Sequence, residues 1–196
     1  MKKLTLVTIA LLLLGCVLVS CGEVVPRNFV QGSMSITLDS SFIRNDGVKG
    51  YSTEFRSSKA TVYVLREWFG KSSEDGSLTL ASDMTLEQYA SYVLSANDME
   101  GTELVERGRY LFFVYEDVRD VIEYTHHAEV KYTSHVCLYK TVDAFWMIVF
   151  ECPSESYEER KLDIAEWAAS VVFTKEADAT TAPVTTEKTP VVTTES

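Results

Sequence analysis

Residues 144–151 read AFWMIVFE, an almost continuously apolar run. The run is too short for an ordinary helix, and its aromatic and β-branched content suits a strand. A strand with one wet face alternates apolar and polar side chains, while one covered on both faces does not. This segment therefore requires packed layers on both sides, and the rest of the chain has to supply them.

Strand signals dominate the flanking sequence. SMSITL (33–38) alternates, and Asn45-Asp46-Gly47 marks a turn. GYSTEFR (50–56) and ATVYVLREWF (60–69) read as an antiparallel hairpin around Ser57-Ser58-Lys59. ELVER (103–107) and YLFFVYE (110–116) make another around Gly108-Arg109. EVKYTSHVCLYK (129–140) pairs with 144–151 around a turn at 141–143. Residues 117–130 carry the weakest pattern.

Two helices supply the outer layers. Leu86, Tyr89, Ala90, Val93 and Leu94 fall on one face, with Thr85 and Gln88 spaced as a capping box and Asn97 at the far end. A second helix is predicted from Ser156, with Ser156 and Glu159 as its capping box and Leu162, Ile164, Ala165, Trp167, Ala168 and Ala169 as a wide apolar side. Val171-Val172-Phe173 returns as a short strand. Two helices with six or seven mostly antiparallel strands predict an α+β layered sandwich.

The ends read differently. Lys2 and Lys3 precede an apolar stretch from Leu4, which is the pattern of a secretory signal peptide over 1–20. It closes on Leu18-Val19-Ser20-Cys21, which resembles the bacterial lipobox. That resemblance implies lipidation of Cys21, by thioether-linked diacylglycerol and in some precursors a further acyl chain such as palmitate. Leu13-Leu14-Gly15-Cys16 is a second match, but it would leave Val17-Leu18-Val19 as an apolar stub. Two or more acyl chains anchor stably, at about 0.8 kcal/mol per buried CH₂. Residues 21–31 read as the lipidated Cys and a tether, 32–173 as one globular domain, and 174–196, rich in Thr, Pro and Glu, as a disordered tail.

The chain carries 18 Lys and Arg against 29 Asp and Glu, for a net charge of −11. Loss of Lys2 and Lys3 with the leader makes it more acidic still. Such a surface repels phosphate backbones and anionic headgroups, which argues against nucleic-acid partners. Membrane attachment then rests on the lipid and not on a basic face.

DAFWMIVFECP (143–153), YEERKLDIAEWAASVVF (157–173) and MTLEQYASYVLSAN (84–97) together resemble the PsbP-like domain of extracytoplasmic bacterial lipoproteins. The resemblance implies an antiparallel β-sheet flanked by helices on both faces, a PsbP-like α/β/α sandwich. Relatives of that family serve mainly as accessory or docking proteins, one of them supporting the photosynthetic water-oxidising complex. The resemblance carries over no catalytic set. The chain departs from the family pattern at 117–135, where it is longer and holds its three histidines.

Several constellations bear on chemistry. His126, His127 and His135 with Glu129 suggest a metal site, but on one strand His127 and His135 stand about 26 Å apart at roughly 3.3 Å per residue. His135 and Cys137 share a strand face, without the Gly-rich elbow that a nucleophile needs. If Lys140 pairs with Phe145, Cys137 faces Ile148 and Cys152 lies about 13 Å further along. Two free thiols follow. Trp68, beside the polar loop 70–77, is the best candidate for an exposed ligand-stacking aromatic. Dinucleotide, phosphate-loop, HExxH and GxSxG motifs are missing. The expectation is a lipid-anchored extracytoplasmic protein without catalytic residues, metal or cofactor. It would be a docking or accessory module with an envelope-protein partner, or alternatively a small-molecule-binding surface receptor.

Overall fold

The computed structural model describes residues 24–71, 79–123 and 126–174. The leader, Cys21 and the tail from 175 lie outside the described residues. The strands are β1 (Pro26–Gln31), β2 (Met34–Asp39), β3 (Ile43–Asn45), β4 (Thr53–Arg56), β5 (Thr61–Trp68), β6 (Val105–Arg107), β7 (Tyr110–Glu123), β8 (His126–Lys140), β9 (Ala144–Pro153) and β10 (Val172–Phe173). The helices are α1 (Leu86–Ala96) and α2 (Ser154–Ser170). A seven-stranded antiparallel sheet runs in the order β3-β4-β5-β9-β8-β7-β6, and a smaller sheet runs β1-β2-β10.

β9 lies between β5 and β8, and eight of its ten residues are buried. Even-numbered residues of β9, among them Trp146, Ile148 and Phe150, pack with α2 and the small sheet through Ile164, Trp167, Met34, Ile36 and Leu38. Odd-numbered residues, Phe145 and Val149, pack with α1 through Tyr89, Ala90, Val93 and Leu94. Tyr89 stacks on Phe145 with ring centroids 4.2 Å apart. The helices thus cover opposite faces, as the unbroken apolar run demands. The β8–β9 register pairs Lys140 with Phe145 and Cys137 with Ile148, while Cys152 faces Thr133. Both thiols are free and buried.

The α1 capping box is present, with Gln88 N–H donating to Thr85 Oγ1 at 3.2 Å and Thr85 N–H to Gln88 Oε1 at 2.8 Å. Asn97 caps the far end.

Three expectations are corrected. Residues 26–31 are not a free tether, because β1 pairs with β2 along its full length and buries Phe29. α2 begins at Ser154, directly after β9, with Pro153 as its N-cap and no side-chain cap. Ser156 therefore already lies in the first turn, and its hydroxyl donates to Pro153 O at 2.9 Å instead of capping Glu159. Leu162 faces solvent, leaving Ile164, Trp167 and Ala168 as the buried side of α2.

Candidate functional site

A group of charged and hydrogen-bonding side chains lies on the α1 face of the large sheet. α1 covers one end of that face. The other end, where β5 begins and β9 stops, is lined by no helix residue and holds a cleft of about 370 Å³. The β4–β5 turn, Arg56 to Ala60, forms one wall, and Arg119 of β7 with Tyr132 of β8 forms the other. Thr61, Tyr63, Glu151, Cys152 and Pro153 form the floor.

Glu151 ends the apolar run of β9 and is 6% exposed. A carboxylate so placed must be paired, because desolvating an unpaired charge costs several kcal/mol. Arg119 supplies the pair with a two-pronged grip, Nη1 donating to Oε1 at 2.9 Å and Nη2 to Oε2 at 2.6 Å. Tyr63 donates its hydroxyl to Oε1 at 3.3 Å, and Ser134 donates to Oε2 at 3.4 Å. Arg119 Nε also donates to Asp117 at 2.8 Å, and the guanidinium lies 5.1 Å from the Tyr132 ring centre. Burial alone would lower the Arg119 pKa. The hydrogen bonds to Glu151 and Asp117, with their charges, outweigh it and hold the pKa above its ordinary value.

Tyr63 stacks with Tyr51, centroids 4.8 Å apart. Burial, then the charges of Glu151 and Glu54, raise the Tyr63 pKa, so this phenol stays a donor. Glu54 is opposite Tyr63 across β4–β5 and is 2% exposed. Arg56 Nε lies 3.0 Å from Glu54 Oε1, yet out of line for a hydrogen bond, which leaves that oxygen unsatisfied. The turn is stiffened by Ser57, whose Oγ accepts from Lys59 N–H at 3.2 Å and Ala60 N–H at 3.1 Å. Three cationic residues, Arg56, Lys59 and Arg119, line the cleft, with Arg56 beside the Glu54 carboxylate and Arg119 held by Glu151 and Asp117.

Of the residues singled out from the sequence, Cys152 lines the cleft, the His126 side chain lies outside the described residues, and the others fall elsewhere. His127 Nδ1 lies 2.8 Å from Asp120 Oδ2, with both side chains more than half exposed. It is far along β8 from His135, as the straight strand requires. His135 is buried, stacked on Phe112 at 4.6 Å, with Nδ1 3.2 Å from the Tyr157 hydroxyl. Burial, reinforced by the Arg107 charge, lowers its pKa to about 4. Burial also raises the Cys137 and Cys152 pKa values, which suppresses the nucleophilic thiolate. Among the described residues, no three His, Cys, Asp or Glu side chains gather as metal ligands. Trp68 is 36% exposed, but Arg66 covers one of its faces at 3.4 Å. Arg66 also lies 4.7 Å from the Trp146 ring centre and donates to Asp143 at 2.6 Å.

The sequence reading missed the cleft. A Glu within an otherwise apolar strand was the available signal, but its partner Arg119 lies 32 positions away in the weakly patterned segment.

No protein-family model matches the chain, and no curated protein matches it. Among solved structures, the fold is similar to that of a Bacteroides thetaiotaomicron VPI-5482 protein, with a TM-score of 0.50 and 16% identity. The match covers 76% of this chain and 49% of that one, so this chain spans about half the length of the Bacteroides protein. Cyanobacterial PsbP (CyanoP) of Synechocystis sp. PCC 6803 aligns at TM-score 0.48 and 11% identity, covering 79% of this chain and 96% of that one. The Ran-binding protein Mog1p of Saccharomyces cerevisiae aligns at 0.44 and 12%, covering 77% and 96%. Likenesses at such identities concern the fold and not what the chain binds.

Proposed function

We propose that this chain is a non-enzymatic binding module, held at an extracytoplasmic membrane surface by lipid on Cys21, and that the cleft between the β4–β5 turn and β7–β8 is its recognition site. The observation that carries the reading is the Arg119–Glu151 grip at the cleft floor. It fixes a guanidinium against a tyrosine ring in a concavity that Arg56 and Lys59 also line. The volume lies within the small-molecule range of about 300–1,000 Å³. The occupant that fits is a small acidic ligand, with its carboxylate or phosphate toward Lys59 and Arg56 and a flat face on Tyr132. Of the two roles read from the sequence, the geometry favours the receptor over protein docking, because the exposed large apolar side chains are spread over different elements.

Thermal unfolding of the full chain against a library of acidic metabolites tests the site. A ligand at 100 times its Kd adds about 2.7 kcal/mol, which raises Tm by several degrees. The gain should vanish in Lys59→Ala and in Arg119→Gln. A flat screen, or a hit indifferent to both substitutions, removes the cleft from consideration. Metabolic labelling with radioactive palmitate tests the anchor separately. Label that persists in Cys21→Ser refutes that attachment point.

A further inference from the structure

We propose that Glu54 anchors a second binding site, in a cavity at the β3 edge of the large sheet, and that this site takes a small organic amine, with a primary ammonium group on Glu54 and an apolar body on Ile43.

The cavity, of about 360 Å³, is lined by Ile43 and Asn45 of β3, Glu54 and Arg56 of β4, and the turn residues Ser57 and Ser58. The pairing of β3 with β4 sets its floor. Asn45 stands opposite Glu54, and Ile43 stands opposite Arg56, so the four share one face of the sheet. Glu54 is also opposite Tyr63, which makes this the face that carries the cleft. Arg56, Ser57 and Ser58 line both cavities and form their shared wall.

Two buried carboxylates on this face are served very differently. Glu151 accepts four hydrogen bonds, two from Arg119 and one each from Tyr63 and Ser134. Glu54 is 2% exposed, and its Oε1 accepts none. The charge beside it belongs to Arg56, whose side chain is 64% exposed and whose Nε, 3.0 Å away, is out of line for a hydrogen bond. A buried carboxylate without donors is costly. An exposed arginine contributes little to holding it. A donor that enters the cavity and displaces Arg56 therefore gains hydrogen bonds that the fold itself leaves unmade.

The surroundings select the kind of cation. An ammonium group brings three donors. Glu54 supplies the opposite charge, and Asn45 and Ser58 hold further acceptors on the same walls. Ile43 is 73% exposed, an apolar surface that an alkyl group covers. A calcium ion takes about six to eight oxygen ligands, usually with several carboxylates among them. Glu54 is the one acid among the described lining residues. Binding here does not depend on an occupant in the cleft.

The test follows the Ile43 methyl signal in a methyl-labelled NMR spectrum of the full chain in detergent, assigned by its loss in Ile43→Val. The probes are isobutylamine, the uncharged isobutanol and calcium chloride. At neutral pH isobutylamine should move the signal saturably, and isobutanol and calcium should not. Glu54→Gln, which keeps the shape of the side chain, should abolish the response. Arg56→Gln should tighten amine binding about fivefold, the worth of an exposed ion pair that no longer competes. That second variant decides the matter if Glu54→Gln fails to fold. No movement with isobutylamine in either the native chain or Arg56→Gln, an equal response to isobutanol, a response undiminished in Glu54→Gln, weaker binding in Arg56→Gln, or movement with calcium alone overturns the proposal.

Discussion

Acid should weaken this fold through His135. Its ring is buried against Phe112, with the Tyr157 hydroxyl at Nδ1 and the Arg107 charge nearby. Its pKa in the folded chain is about 4, against 6.5 for an unburied histidine. Above pH 6.5 the ring is neutral in both states and contributes nothing to pH dependence. Between pH 6.5 and 4 the unfolded chain binds a proton that the folded chain refuses, so stability falls as pH drops. The loss approaches about 1.4 kcal/mol per pH unit, reaching about 2 kcal/mol at pH 5 and about 3 kcal/mol near pH 4. That is a large share of a typical stability of about 5–15 kcal/mol. Carboxylates titrate in the same window, so the informative quantity is a difference. His135→Phe keeps an aromatic ring against Phe112 but cannot protonate. It gives up the Tyr157 contact, a cost of about 1 kcal/mol at neutral pH. Urea unfolding of both chains from pH 7.5 to 4.5 should show the native chain losing ground to the variant by about 2 kcal/mol at pH 5. A stability gap that stays constant over this range would refute the argument.

Removing Arg119 should expose how much Glu151 depends on it. Arg119→Ala is expected to cost about 2–3 kcal/mol in urea unfolding, since a charge-assisted pair is lost from a buried carboxylate. Arg119→Met combined with Glu151→Leu should cost clearly less than the separate effects added together, and simple additivity would count against coupling. Thr85→Ala should lower stability by about 1 kcal/mol by removing the α1 cap, with an unchanged Tm as the contrary result. Cys137 and Cys152, 0% and 1% exposed, should resist a thiol reagent in the folded chain and react in urea. Rapid labelling without denaturant would contradict their burial.

How far the sequence revealed the structure depends on which face of each element meets water. β9, α1 and the β8–β9 register were readable because buried apolar side chains set them. β1 was not, because Phe29 is its lone buried side chain and the other five residues carry no alternation. The β7–β8 hairpin was obscured for a related reason. Residues 116–120 are held by backbone pairing to β8, not by a core, so charges occupy both faces. The start of α2 was misplaced because β9 runs into it without a loop, and sequence rules for caps assume one. The cleft was hidden by topology. Glu151 and Arg119 meet only because β8 lies between their strands, and no local spacing announces such a meeting.

β9 lies in the middle of the sheet but near the end of the chain. A polypeptide that emerges N-terminus first, whether from a ribosome or through a membrane pore, presents β1 to β8 before the strand that joins their two cores. Until residue 153 is out, β5 and β8 have no shared neighbour, and α2 has yet to appear. The sheet can close only late, so the nascent chain remains threadable for most of its length. A truncation before Ala144 should therefore yield no partial version of this fold.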